Sequence, residues 1–212
     1  MKTGVDRLLA IAGPRLAPGP ALLTVPPSCR AKGLVAELLD LLNARNGFYC
    51  FEGALHVFPT LSHGGHTGLE AWNGTELWRY EYGGLVEGML FFAEDVFGNQ
   101  FTLSDDAVCT FDAETAEVEQ IAGSVADWIG QVLDDFELLT GFPLAHQWQT
   151  QCGALQVEHR LVPKVPFVLG GEYAVENLYA CKAAAGMRAR GNLARQLLDL
   201  PDGAAVQYSI EE

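Results

Sequence analysis

Basic residues are missing from the middle of this chain. Between Arg79 and Arg160 there is no lysine or arginine, yet 15 of the 27 acidic residues fall in that interval. All 13 basic residues lie elsewhere, seven up to Arg79 and six from Arg160 onward. A surface that tracks phosphates needs clustered cations, so a formal charge of −14 speaks against nucleic acid as a partner. It speaks equally against an anionic membrane surface. The deficit favours a basic protein partner, because an acidic field steers molecules of opposite charge.

Other absences narrow the chemistry. The five cysteines (Cys29, Cys50, Cys109, Cys152, Cys181) are odd in number, far apart and without a C-x-x-C pair. They predict reduced, mostly buried thiols and neither a zinc site nor a disulfide framework. No apolar run approaches the length of a membrane span. The short run Leu8–Ala12 stops at Gly13-Pro14-Arg15, which is not a secretory leader, and the expected location is the cytoplasm. Neither G-x-S-x-G nor a phosphate-binding loop occurs, and "LGGEY" (169–173) is a turn. His63 and His66 in "SHGGH" are a weak metal signal without two further ligands. The spacing of a calcium loop is absent. No cofactor, no metal and no catalytic residue are expected.

What is abundant is carboxylate. The segment "FFAEDVFGNQFTLSDDAVCTFDAETAEVEQIAG" (91–123) holds Glu94, Asp95, Asp105, Asp106, Asp112, Glu114, Glu117 and Glu119 without one cation. Its alternation predicts a meander: a buried strand in "GMLFFAED", then strands in "NQFTLSD", "AVCTFDAE" and "AEVEQIAG". Asp105-Asp106 and Asp112 fall where hairpins need turn formers, so local structure accounts for part of the density. Next, "SVADWIGQVLDDFELLTG" predicts one helix from Ser124 to Leu139, opened by Ser124 with Asp127. Val125, Trp128, Ile129, Val132, Leu133, Phe136 and Leu139 form its apolar stripe. Asp134, Asp135 and Glu137 lie in its last turns, where the helix dipole opposes them. Fold stability does not ask for them there, which marks them as candidate partner contacts.

Elsewhere, residues 1–27 read as an extended lead-in, Pro/Gly-rich from 13 to 27. A helix over Leu34–Leu42 follows, with Ser28 as its N-cap and Gly47 beyond its end. "FYCFEGALHVFP" predicts two short strands around Glu52-Gly53. A short helix is expected around Thr75–Tyr82 and another over Leu144–Gln151. "KVPFVLGGEYAVENLYA" predicts strand, turn, strand. A final helix spans about Lys182–Leu198, and "AAVQYSI" a last strand. Trp72 and Trp78 are most economically core, with an interface role as the alternative. Arg188 and Arg190 are expected to pair with Glu172 or Glu176. These elements predict a single α+β domain over 28–212, a mixed or antiparallel sheet flanked by helices, with a C-terminal extension from about 141.

Phe91-Phe92-Ala93-Glu94, Phe97-Gly98-Asn99, Phe111-Asp112-Ala113-Glu114-Thr115 and Trp128 together resemble the middle of the SUKH superfamily, whose cell-wall-assembly-regulator-like members are named Smi/Knr. The resemblance extends softly from Ser28 through a longer C-terminal region. It implies an α+β fold without catalytic apparatus. Many bacterial members are immunity proteins that neutralise a polymorphic toxin, often a nuclease; others are housekeeping scaffolds or regulatory modules. The candidate partner contacts, read from the charge pattern itself, are Asp134, Asp135 and Glu137 first, then Asp105, Asp106, Glu94 and Asp95. The expected partner is a cognate toxin or another basic protein.

Overall fold

The protein is described by a computed structural model covering residues 3–19, 21–23, 29, 31–199 and 208. Residues Gly4–Ile11 form helix α1, where the sequence suggested only an extended lead-in. A reciprocal cap explains it: Thr3 Oγ1 accepts from the Asp6 N–H, and the Asp6 carboxylate accepts from the Thr3 N–H. Leu8 is buried and anchors this helix. Helix α2 spans Lys32–Ala44 behind Ala31; the predicted cap Ser28 lies outside the described residues.

Among the described residues, the chain builds a six-stranded sheet in sequence order, β1 Phe48–Cys50, β2 Leu55–Val57, β3 Leu90–Glu94, β4 Gln100–Ser104, β5 Ala107–Phe111 and β6 Val118–Ala122. Every pairing is antiparallel. The meander read from alternation is therefore present, and the sheet is antiparallel rather than mixed. Between β2 and β3 come α3 (Leu69–Trp72), a π-helical turn (Thr75–Arg79) and α4 (Tyr80–Tyr82). After β6 come α5 (Val125–Asp134), α6 (Phe136–Thr140) and α7 (Phe142–Cys152). A two-stranded antiparallel ribbon of β7 (His159–Pro163) and β8 (Leu178–Lys182) precedes the last helix, α8 (Ala183–Asp199). The fold is α+β.

Both sheet faces are buried by aromatics. On one, Phe91 and Phe111 meet Trp78 and Tyr82 edge-on. On the other, Trp128 of α5 lies between Phe92 and Phe101, at ring-centroid distances of 4.9 and 5.4 Å. Trp72 and Trp78 are buried, so they belong to the core. Edge-to-face rings add a few tenths to about 1.5 kcal/mol per pair beyond their burial. Met187, Ala183 and Ala194 of α8 join the same core as α2 and α5, whereas α7 and the β7–β8 ribbon pack in two smaller clusters, one with Val96, Ala145 and Leu161 and one with Val162, Cys181 and Ala185.

Several local expectations change. The single helix over 124–139 breaks at Asp135, whose φ −138° and ψ 50° are not helical. The first strand of the C-terminal ribbon lies at His159–Pro163, ahead of the segment from Lys164 in which the sequence predicts strand, turn and strand. Pro166 and Gly170 turn the start of that segment into a loop, which Asn177 holds by bonding Val165 on both its N–H and its carbonyl. Arg190 pairs with neither Glu172 nor Glu176: it is buried and donates to the carbonyls of Phe97 and Gly186. Arg188 reaches the Leu77 carbonyl. Gly98, at φ +82°, admits Arg190, since a Cβ there would lie 2.6 Å from Nη2. Residues 201–207, on which most of the predicted last strand falls, lie outside the described residues.

Candidate partner-binding groove

The meander and α5 together decide where the carboxylates meet. The tight turn Asp105-Asp106 joins β4 to β5 at one end of these strands, with Asp105 at φ 48°. Strand β6 ends beside it, because Ala122 pairs with Val108. Helix α5 starts there, capped by Ser124 Oγ on the Asp127 N–H and by Glu37 Oε2 on the Val125 N–H. Its ten residues then run back about 15 Å at the helical rise. They deliver Asp134, Asp135 and α6 to the opposite end of the strands.

A groove of about 550 Å³ lies at that end, lined by Asp95, Asp112, Glu117 and Glu119 together with Thr110, Phe101, Leu138 and Leu139. The carboxylates come from the β3–β4 turn, the β5–β6 turn and edge strand β6. Leu138 is 77% exposed, which gives the acidic groove an apolar rim. Asp134, Asp135 and Glu137 are exposed on the α5–α6 segment that supplies that rim. The α5–α6 break alters their electrostatics: Asp134 still closes α5 against its dipole, but Asp135 is also the N-cap of α6 and Glu137 sits in the first turn of α6, where a carboxylate is favoured.

The turns framing the groove are internally bonded. Asp95 accepts from the Asn99 N–H at 2.8 Å and from Asn99 Nδ2 at 3.0 Å. Asn99 Oδ1 in turn accepts from the Ala113 N–H, so it ties the two motif segments together. Asp112 Oδ1 accepts from the N–H groups of Glu114 and Thr115 at 2.7 and 2.9 Å. Gly141, at φ +68°, closes α6 where a Cβ would strike Phe97.

Of the residues singled out from sequence, the structure brings Asp134, Asp135 and Glu137 beside the groove and leaves Asp105 and Asp106 exposed at the far end of β4–β5. Glu94 and Asp95 require correction as surface contacts. Asp95 is 8% exposed and reaches only the groove floor; Glu94 is 1% exposed. Glu94 Oε1 holds Arg160 Nε at 2.7 Å and His56 Nδ1 at 3.0 Å, and Oε2 accepts from Gln100 Nε2 at 3.3 Å. Sequence reasoning passed over Asp112, Glu117 and Glu119 as site residues. The signal was the outward face of β6, where Glu117 and Glu119 flank Val118 without a cation nearby in sequence.

Burial raises the Glu94 carboxyl, but Arg160 and His56 outweigh it and hold it below the ordinary range. Burial lowers His56, against the pull of Glu94; the ring is neutral and its Nδ1–H donates to Glu94 Oε1. Asp95 behaves oppositely: burial pushes it up to about 7, against the Asn99 hydrogen bonds. Between about pH 4 and pH 7 folded Asp95 keeps a proton that the unfolded chain has lost, so its contribution to stability falls as pH rises. Asp95→Asn should remove that downward slope from urea midpoints measured across this range. An unchanged slope would mean that Asp95 ionises as a surface carboxylate does.

His63 and His66 face each other across a tight hairpin, bonded through their backbones. Among the described residues no group of three His, Cys, Asp or Glu side chains is placed to hold a metal. No described helix is long and apolar enough to cross a membrane.

No protein-family model matches the chain, and no curated protein matches it. Among solved structures, the chain is similar to the Agrobacterium tumefaciens protein Atu4351, over 87% of this chain and 86% of that one, at 14% identity and a TM-score of 0.48.

Proposed function

We propose that this chain is a non-enzymatic binding protein whose acidic groove receives a basic protein, and that it serves as a cytoplasmic immunity protein neutralising a cognate toxin. The groove carries the reading: three exposed carboxylates, Asp112, Glu117 and Glu119, line about 550 Å³ beside an exposed leucine, within a stretch of 80 residues that has no lysine or arginine. Such a site suits lysine or arginine side chains, whose charged heads meet carboxylates while their stems lie on apolar surface. Electrostatic complementarity of this kind sets association rate and specificity more than affinity. The motif resemblance to the SUKH superfamily supports a toxin as the partner, and nuclease toxins present basic substrate surfaces.

The direct experiment is a pull-down with the product of the gene adjacent to this one, together with protection of cells expressing it. Capture without toxicity would favour a housekeeping scaffold; no capture would remove the immunity reading. Asp134 and Asp135 give a separate expectation. Changing both to lysine should leave stability close to that of the wild type, because a cation at 134 suits the α5 C-terminus while one at 135, the N-cap of α6, does not. The same change should slow toxin association about tenfold at low salt. Wild-type association by this variant would reduce the helix end to a solvated face.

A further inference from the structure

The two edges of the six-stranded sheet are finished differently. At the β1 edge the chain ahead of α2 closes the strand: the Gly13 N–H donates to the Tyr49 carbonyl at 2.8 Å and the Leu16 N–H to the Gly47 carbonyl at 3.0 Å. At the β6 edge no further strand follows among the described residues. Glu117, Val118, Glu119 and Gln120 are all exposed there, Val118 by 41%. Lysine and proline, which commonly blunt an open edge, are absent from β6. The ladder decides which of its backbone groups stay unused. The Asp112 N–H donates to the Glu117 carbonyl, and antiparallel pairs alternate, so Glu119, opposite Thr110, bonds toward β5 next. Val118 and Gln120 therefore turn their N–H and C=O groups outward. Beyond them Gln131 Nε2 of α5 donates to the Ile121 carbonyl and ends the open stretch.

The side chains define what a further strand would carry. Alternation sends Glu117 and Glu119 to one face and Val118 to the other, and both carboxylates line the acidic groove. Residues directly opposite on neighbouring strands share a face, where opposite charges attract and like charges repel. A second copy of this chain is disfavoured on that ground. Pairing two β6 edges antiparallel around Val118 sets Glu117 of each against Glu119 of the other. An extended segment with lysine or arginine at every second position, and β-branched residues between, matches both the carboxylates and Val118.

We propose that the basic partner docks by strand addition, laying an extended segment with alternating cations along β6. This rests on the acidic-groove reading and adds how the partner is held: by backbone bonds to Val118 and Gln120 as well as by charge. The probe is a short synthetic peptide alternating lysine and threonine, with a rearranged peptide of equal charge, all lysines first, as its control. In NMR titrations of the full chain the alternating peptide should bind at least about threefold more tightly than the control. It should also slow amide exchange at Val118 and Gln120, which exchange fast in the free chain, and leave Glu119 unchanged. Val118→Pro removes an outward N–H without breaking the ladder and should weaken binding about two- to tenfold. Val118→Thr, which keeps that N–H, should not. Equal binding of the two peptides, or binding without protection at Val118 and Gln120, would overturn strand addition and leave charge-driven docking in the groove standing. Absence of binding by either peptide would overturn it as well, while the pull-down decides the groove reading separately. If Val118→Pro lowers the urea midpoint, the exchange pattern of the wild type decides alone.

Discussion

Arg160→Met should destabilise the fold by about 3–5 kcal/mol, because it leaves the Glu94 carboxylate buried without its counter-charge. The long apolar replacement fills most of the arginine's volume, so the loss reports charge rather than a cavity. Glu94 would retain His56 and Gln100 as partners, but neither carries a charge at neutral pH. The variant's carboxyl should ionise at higher pH than in the wild type, and His56 should rise too, because the Arg160 charge that lowers both is gone. Urea unfolding at pH 7 measures the first effect. A loss below about 1 kcal/mol would mean that the pair is solvated and of the surface kind.

Trp128→Ala should cost a similar amount, about 3–5 kcal/mol, for a different reason. Its ring is fully buried against Phe92 and Phe101 and is the largest side chain that α5 sends into the sheet. Here the loss is transfer free energy plus a cavity, so Trp128→Phe should recover much of it, whereas no apolar residue rescues Glu94 alone. A denaturation curve showing a loss below about 1 kcal/mol would mean that α5 presents another face to the sheet.

These two residues also mark what the sequence could reveal. Trp128 is legible because helical periodicity lines it up with Val125, Ile129 and Val132, and all four are buried. The meander is legible because alternation and turn chemistry agree along β4 to β6. Glu94 is not: its partners lie 38 residues upstream in His56 and far downstream in Arg160, and no local pattern joins them. Taken with its neighbours it reads as one more surface carboxylate, and only the register of β2 with β3 and the return of β7 withdraw it into the core. The helix break at Asp135 was hidden because the apolar stripe continues in phase through Phe136 and Leu139. The groove emerges from the route of the chain, since α5 runs back along the sheet and sets α6 against the acidic β5–β6 turn. Asp105-Asp106, equally acidic in sequence, is carried to the other end of the same strands.

The central claim is that the groove carboxylates meet a basic partner, and association kinetics test it most directly. The rate constant should be measured for wild type and for the Glu117→Lys, Glu119→Lys double variant against the basic partner that the pull-down captures, over a salt series. Both positions are on or beside the exposed β6 edge, so the fold should survive, and an unchanged urea midpoint would establish that. The account predicts association slowed tenfold or more at low salt. The gap should narrow as the screening length falls from about 30 Å at 0.01 M to about 8 Å at physiological ionic strength. Equal rates for the folded variant and wild type at low salt would contradict it.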